Sequence, residues 1–361
     1  MNIKYYPVLK TSISELRALK KIKSDDFNHV IPIFELTKSR KSKNNQGCDV
    51  YKKVDELIDI MNSKPFILDL TGEESLTNEQ IESFFDDSNS FYNWTEFVRR
   101  IVEEKSANVI PTILAYEDSE KSTLQQQAER LNKYCNTLCI RLSVDLVCDE
   151  ITQILIELAS ELDDVIVVID LGLIRQDEYK LKLNDAKDLL EDILANDDSL
   201  VIICVASSFP SSVVQEVPKK EKMSSEIHMY SRDVYEELKK IDSELIYGDY
   251  ACIHPFRGES RPMVWIPRVD FPYKNKLAFE RCSRDDGGYQ ECARKMRLSK
   301  EYENNYIDCW GVNEINSSAV GIVNGKSPSY WISVRSNIHM SRMIKLLIDD
   351  NSNLQESVSN F

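Results

Sequence analysis

The sequence predicts a (β/α)8 barrel with a C-terminal appendage. Three observations predict it. Short apolar, β-branched runs recur between Tyr5 and Tyr250, and each is continuous enough to be a strand buried on both faces. Polar stretches with helical periodicity separate them. The first run ends in Lys10-Thr11-Ser12, without the glycine-rich phosphate turn that usually opens a doubly wound sheet.

The eight predicted strands are 5–10, 30–36, 65–70, 109–115, 138–143, 165–172, 200–207 and 245–250. Predicted helices lie at 12–21, 50–61, 125–134, 150–162, 177–194 and 234–241. Another, 93–104, belongs to a longer insertion after the third strand. The first helix has Ser12 as its cap and Glu15 at capping-box spacing, with Ile13, Leu16 and Leu19 on one face. The eight strand–helix units span about 245 residues, close to the ~250 typical of this barrel.

Beyond Tyr250 the rhythm changes. Segments 263–273 and 276–281 suggest a hairpin or extended flap, and 288–298 a helix. Segment 330–335 (YWISVR) suggests a strand, and 339–348 a terminal helix. The predicted organisation is a barrel over 1–255, an extension over 256–348 placed to lie over its mouth, and a polar, flexible tail over 349–361.

The chain has 361 residues, 42% apolar and 29% charged, an ordinary balance for a globular protein with a large core. Its net charge of −15 repels phosphate backbones, which disfavours long nucleic acid as a partner and a nuclease as the function. The basic loop 38–45 (KSRKSKNN) runs against that trend; it reads as a solvated loop or as an anion-binding lid after the second strand. Nine cysteines contain no CxxC pair, and Cys135 and Cys139 are spaced for one helix face. They read as reduced structural thiols. The four histidines are too scattered for a zinc site. The first ten residues lack the apolar core of a signal peptide, and no apolar run approaches the ~20 residues of a membrane span. The expected location is cytoplasmic, without membrane contact.

Barrel enzymes build their sites at the C-terminal strand ends. The predicted ends carry Lys10, Glu35, Asp69, Arg141, Asp170, Ser207 with Ser208, and Asp249 with Tyr250. Side chains alternate along a strand, so Glu35 shares a face with Ile31 and Ile33, Arg141 with Cys139, and Asp170 with Ile166 and Val168. Each polar tip thus continues an apolar row that fills a barrel interior. Glu35, Asp69, Asp170 and Asp249 are the candidate catalytic carboxylates. Asp69, Asp170 and Asp249 are candidate ligands of a divalent cation such as Mg2+, with Glu35 as base. Lys10, Arg141, Ser207, Ser208, Tyr250 and Arg268 are candidate binders of a small anionic substrate. Arg257, Arg261 and Arg281 are further arginines of the appendage. The alternative is a ring of salt bridges that closes the barrel top and does no chemistry.

Several of these segments resemble one family. Tyr6-Pro7-Val8-Leu9-Lys10, Glu15-Leu16, Ala18-Leu19 and Ile31-Pro32-Ile33-Phe34-Glu35 are similar to the opening of the phage-type beta protein family, found in phages and in bacterial mobile or defence loci. Leu68-Asp69-Leu70, Ile169-Asp170-Leu171-Gly172, Ser207-Ser208-Phe209-Pro210 and Tyr247-Gly248-Asp249-Tyr250 follow in order, then Trp331 and Asn337-Ile338-His339. The resemblance covers nearly the whole chain, with segment 274–304 matching loosely and Ile338-His339 standing where the family has a double histidine. It implies a context of phage–host conflict, with partners encoded nearby, and little about chemistry.

Two functional expectations follow. The first is a metal-assisted hydrolase or phosphoryl-transfer enzyme acting on a small anionic, nucleotide-like substrate. The second is a non-catalytic barrel that senses a ligand or binds a protein partner.

Overall fold

Strands that are apolar on both faces need two layers of cover, and a closed barrel ringed by helices supplies both. The computed structural model describes residues 5–145, 149–219, 223–256 and 265–359. In chain order the elements begin β1 (Tyr5–Lys10), α1 (Ile13–Lys20), β2 (Ile33–Leu36), α2 (Tyr51–Met61), β3 (Phe66–Leu70), α3 (Glu79–Phe84), α4 (Tyr92–Lys105), β4 (Val109–Pro111), α5 (Lys121–Asn132), β5 (Leu138–Ser143) and α6 (Asp149–Glu161). They continue β6 (Val165–Leu173), α7 (Tyr179–Asn196), β7 (Val201–Ser207), β8 (Ser224–His228), α8 (Ser231–Leu238) and β9 (Ile246–Asp249). The rest are β10 (Arg268–Tyr273), β11 (Lys276–Arg281), α9 (Gly288–Arg297), α10 (Lys300–Asn304), α11 (Trp310–Ala319) and α12 (Pro328–Ser359).

β1 to β7 and β9 pair in parallel in the order β4-β3-β2-β1-β9-β7-β6-β5. The remaining gap, between β4 and β5, is bridged by Thr112 and Cys139, and the Ile113 N–H donates to the Cys139 carbonyl at 2.8 Å. The fold is therefore a (β/α)8 barrel. Its interior is filled by one row of alternating side chains, including Tyr6, Val8, Ile33, Ile67, Cys139, Val168 and Ile203. The opposite row, including Tyr5, Leu9, Phe34, Leu68 and Ile140, packs outward against the helices. Cys135 and Cys139 do not share a helix face, because Cys139 lies inside β5 and points into the barrel. Among the described residues, no helix is long and apolar enough to cross a membrane.

Gly248 of β9 shows how tightly the interior is packed. A Cβ there would sit 2.7 Å from the Tyr6 carbonyl oxygen and 2.8 Å from Val205 Cγ2. A backbone oxygen in a paired strand cannot step aside, so Gly248→Ala is expected to cost about 1–3 kcal/mol. The readout is the urea midpoint, and an unchanged midpoint would contradict this packing.

The barrel's eighth helix arrives late. Among the described residues, no helix follows β9 directly; α12 fills that place between α8 and α1. The Asn337 amide donates to the Ala18 carbonyl at 3.0 Å, the Ser14 and Ser329 hydroxyls meet at 2.8 Å, and Arg232 of α8 bonds Asp350 at 2.6 Å. One end of α12 (Trp331, Val334, Ile338) packs with β10, α9 and α11. Further along, Met340, Met343, Ile344 and Leu347 join the barrel's outer layer. The strand expected at 330–335 is thus the first part of a helix. Its residue types favour strands, and burial on nearly every side hides the helical period.

The expected hairpin exists as β10 and β11, paired from Arg268–Arg281 to Tyr273–Lys276. A third strand, β8, joins it antiparallel from the loop between β7 and α8. Its sequence, SSEIH, carries no apolar run to announce it. Arg257 and Arg261 lie outside the described residues.

Candidate functional site

The top layer of the barrel interior is polar. Strand pairing sets Lys10 beside Glu35, and Glu35 beside Asp69. Lys10, Glu35, Asp69, Asp170 and Tyr250 are all buried there. Arg141 rises from β5 into their midst, its side chain 13% exposed. Its Nη1 donates to Asp69 Oδ2 at 2.6 Å, and its Nη2 to Glu35 Oε1 at 2.9 Å and Asp170 Oδ2 at 2.6 Å. Nε donates to Asp170 Oδ2 at 3.0 Å. Nη2 also donates to the Tyr250 hydroxyl at 2.8 Å, which in turn donates to Asp170 Oδ2 at 2.6 Å. A planar fork of donors is the one side chain suited to bridge three carboxylates at once.

Lys10 completes the set. Its Nζ meets Glu35 Oε2 at 2.8 Å and Glu73 Oε1 at 3.1 Å, and donates to the Pro255 carbonyl. Ser207 Oγ donates to the Ile253 carbonyl at 2.9 Å. The segment after β9 is thereby tied across the β1 and β7 side of the mouth. A cavity of ≈ 450 Å³ stays open beside it, walled by Lys10, Glu35, Asp69, Arg141, Asp170 and Tyr250 below and by Phe85, Leu114, Tyr116 and Phe256 above.

The two neighbouring carboxyls respond differently to this setting. Burial pushes Asp69 above the usual Asp range, and the nearby Arg141 charge does not fully offset it. Burial acts on Glu35 too, but Lys10 and Arg141 together outweigh it and hold that carboxyl below the usual Glu range. The Tyr250 hydroxyl is driven well up, first by burial and then by the Asp170 charge.

Asp249 does not belong to this layer. On β9 the interior positions are Ile246 and Gly248, with Tyr250 next, so Asp249 points outward into the helix layer. There its carboxylate accepts from Tyr5 Oη at 2.7 Å, Tyr247 Oη at 2.8 Å and the Ala251 N–H at 2.8 Å. His339 Nε2 of α12 lies 2.5 Å from Oδ2. Burial would raise the Asp249 carboxyl, but the His339 charge and these hydrogen bonds hold it below the usual Asp range. Asp69, Asp170 and Asp249 therefore do not converge on one point, and the expected three-carboxylate cation site does not form. Arg141 occupies the space between Asp69 and Asp170 instead. Among the described residues, no group of three or more His, Cys, Asp or Glu side chains is arranged to hold a metal ion.

Ser208 turns away from the mouth cavity, accepting the Tyr230 N–H at 2.8 Å and facing Ser231 at 3.4 Å. Arg268 lies on β10, where its Nε pairs with Asp270 Oδ1 at 2.7 Å; Asp270 Oδ2 also pairs with Arg335 at 2.7 Å. Of the expected binding residues, the structure gathers Lys10, Arg141 and Tyr250 at the cavity. Sequence reasoning did not single out Glu73, Thr112, Tyr116 or Phe256, which also line it. Glu73 follows the end of β3 by three residues, a signal within reach; Tyr116 and Phe256 carried none. His339, the partner of Asp249, was visible only in the resemblance.

The comparisons with known proteins agree with this architecture's extent. The family model described as Beta protein matches residues 5–345, which takes in the barrel strands and the first part of α12. "Protein beta" of Enterobacteria phage P4 is 26% identical over 348 residues, 96% of this chain and 94% of that protein. The chain belongs to the Beta protein family.

Proposed function

We propose that the barrel mouth is an enzyme active site for a small molecule, with Glu35 and Asp69 as its acid–base pair. The observation that supports this reading is their opposite displacement. Two adjacent buried carboxyls share one guanidinium, yet one is held below its usual range and the other above it. Environments that shift two like groups in opposite directions suit one to donate a proton and the other to accept it. Arg141 and Asp170 position the pair, and the cavity supplies the room for a substrate. The divalent metal expected from the sequence plays no part in this reading, because Asp249 lies outside the mouth.

The test is a ligand screen of the purified chain by thermal shift, followed by mass spectrometry of each hit for turnover. A ligand at 100 times its Kd stabilises by about 2.7 kcal/mol, enough to register. Asp69→Asn is expected to keep binding the hit and to lose its turnover. Turnover at the wild-type rate in that variant would overturn the acid–base assignment; binding without turnover in the wild type would favour a ligand-sensing barrel.

A role in phage–host conflict belongs to the same proposal; its ground is the family membership, which includes a protein encoded by Enterobacteria phage P4. Cells expressing the chain are expected to change their plating efficiency for at least one phage, with Asp69→Asn losing that effect. Equal plating with and without the chain across a phage panel would remove this part.

A further inference from the structure

The charge of the mouth cavity identifies the kind of ligand it takes. Resting on the reading of the mouth as a small-molecule site, we propose that this ligand is an organic cation: an ammonium or guanidinium group on a short apolar stem. Of the described residues lining the cavity, six are carboxylates (Glu35, Asp69, Glu73, Glu117, Asp145 and Asp170) and two are cations, Lys10 and Arg141. Lys182 matches Asp145 from behind. Three negative charges remain in excess with all six carboxyls ionised, and two when Asp69 carries its proton. Segment 257–264, next in sequence after Phe256 and outside the described residues, contains Arg257, Glu259 and Arg261, one net positive charge, which is too little to reverse the balance.

Both lining cations are already committed. Arg141 is bonded to three carboxylates and Lys10 to two. An anion entering here would compete with these carboxylates for the same donors and meet their repulsion at short range. A cation gains from the excess and from the overall charge of −15, which steers positive ligands toward the protein.

Two independent features point the same way. The rim is aromatic, with Tyr116 40% and Phe256 55% exposed and Phe85 beside them. Exposed aromatic faces next to carboxylates attract an ammonium or guanidinium through the ring quadrupole and cover its apolar stem. In the wall, the Thr112 hydroxyl is buried and has no hydrogen-bond partner of good geometry, although the Cys139 thiol interacts with it. Thr112 continues the interior row of Ile110 by strand alternation and lines the cavity, which makes its hydroxyl a second polar group in the wall beside the carboxylates.

The experiment compares three probes of similar size: n-butylguanidinium, n-butylurea and pentanoate. Binding is measured by calorimetry on the full chain at low and high salt. The guanidinium is expected to bind at least tenfold tighter than either other probe, and to weaken as salt rises. Thr112→Val, nearly isosteric, is expected to weaken it severalfold, and Ala115→Trp, which fills the cavity, to abolish it. Tighter binding of the urea or the carboxylate, lost in Ala115→Trp, overturns the cation assignment and leaves the mouth as the site. Guanidinium binding that survives Ala115→Trp overturns both. No guanidinium binding at millimolar concentration also overturns the cation assignment.

Discussion

Replacing Arg141 with methionine is expected to destabilise the protein by about 3–5 kcal/mol, the usual cost of removing one partner from a buried ion pair. Methionine fills similar space, so the loss is one of charge. Asp69 and Asp170 would be left facing each other across an apolar stem, and Glu35 would keep only Lys10. The stranded carboxyls would answer by holding protons more tightly. Their penalty would then be full at neutral pH and shrink as pH falls through their raised values. The variant's deficit in urea denaturation is accordingly expected to narrow between pH 7 and pH 5, the sign expected of carboxyls whose folded pKa is raised. A deficit below 1 kcal/mol at pH 7, or one that widens on acidification, would contradict the role given to Arg141. Arg141→Lys should recover only part of the loss, because a point charge cannot reach three carboxylates with the fork's geometry.

Asp249→Ala is expected to cost about 3 kcal/mol or more, since each buried donor left unpaired costs about 1–3 kcal/mol. The carboxylate accepts from two tyrosine hydroxyls, one backbone N–H and His339, all in the layer between β9 and α12. The deficit is again expected to narrow on acidification, but in a lower pH window than that of Arg141→Met. Asp249's folded carboxyl titrates below its usual value of 3.8, so its contribution is full above that value and is lost as pH falls through the folded pKa. Glu35 shares that sign. Wild type should lose this stability on acidification below about pH 4, and Asp249→Asn should show a shallower acid limb. Hydrogen exchange should report the same loss as faster exchange along α12 near His339. An Asp249→Ala variant with unchanged stability would mean that the network does not pin the last helix.

Most of the barrel was legible in the sequence because strands buried on both faces leave continuous apolar runs. The mouth was legible because side chains alternate: Ile31, Ile33 and Glu35 had to share a face, as did Ile166, Val168 and Asp170. The same alternation turns Asp249 away from the mouth. Gly248 holds the interior position on β9, and a glycine leaves no side chain to mark the row. Segment 330–335 is helical although its residue types favour a strand, because packing overrides propensity. β8 was invisible because its polar residues give no run. The meeting of Asp249 with His339, ninety positions later, depends on a helix that returns to the barrel only after the small sheet, and no local pattern encodes such a return.

The proposed working site of the chain is the mouth of its barrel. Ala115→Trp tests it most directly, because Ala115 lines the cavity and lies outside the ion-pair network. Thermal shifts of wild type and Ala115→Trp are compared with the tightest ligand from the screen. A large ligand-induced shift is expected in wild type and none in the variant, with the unliganded melting temperatures close together. Equal stabilisation of both proteins by that ligand would contradict it.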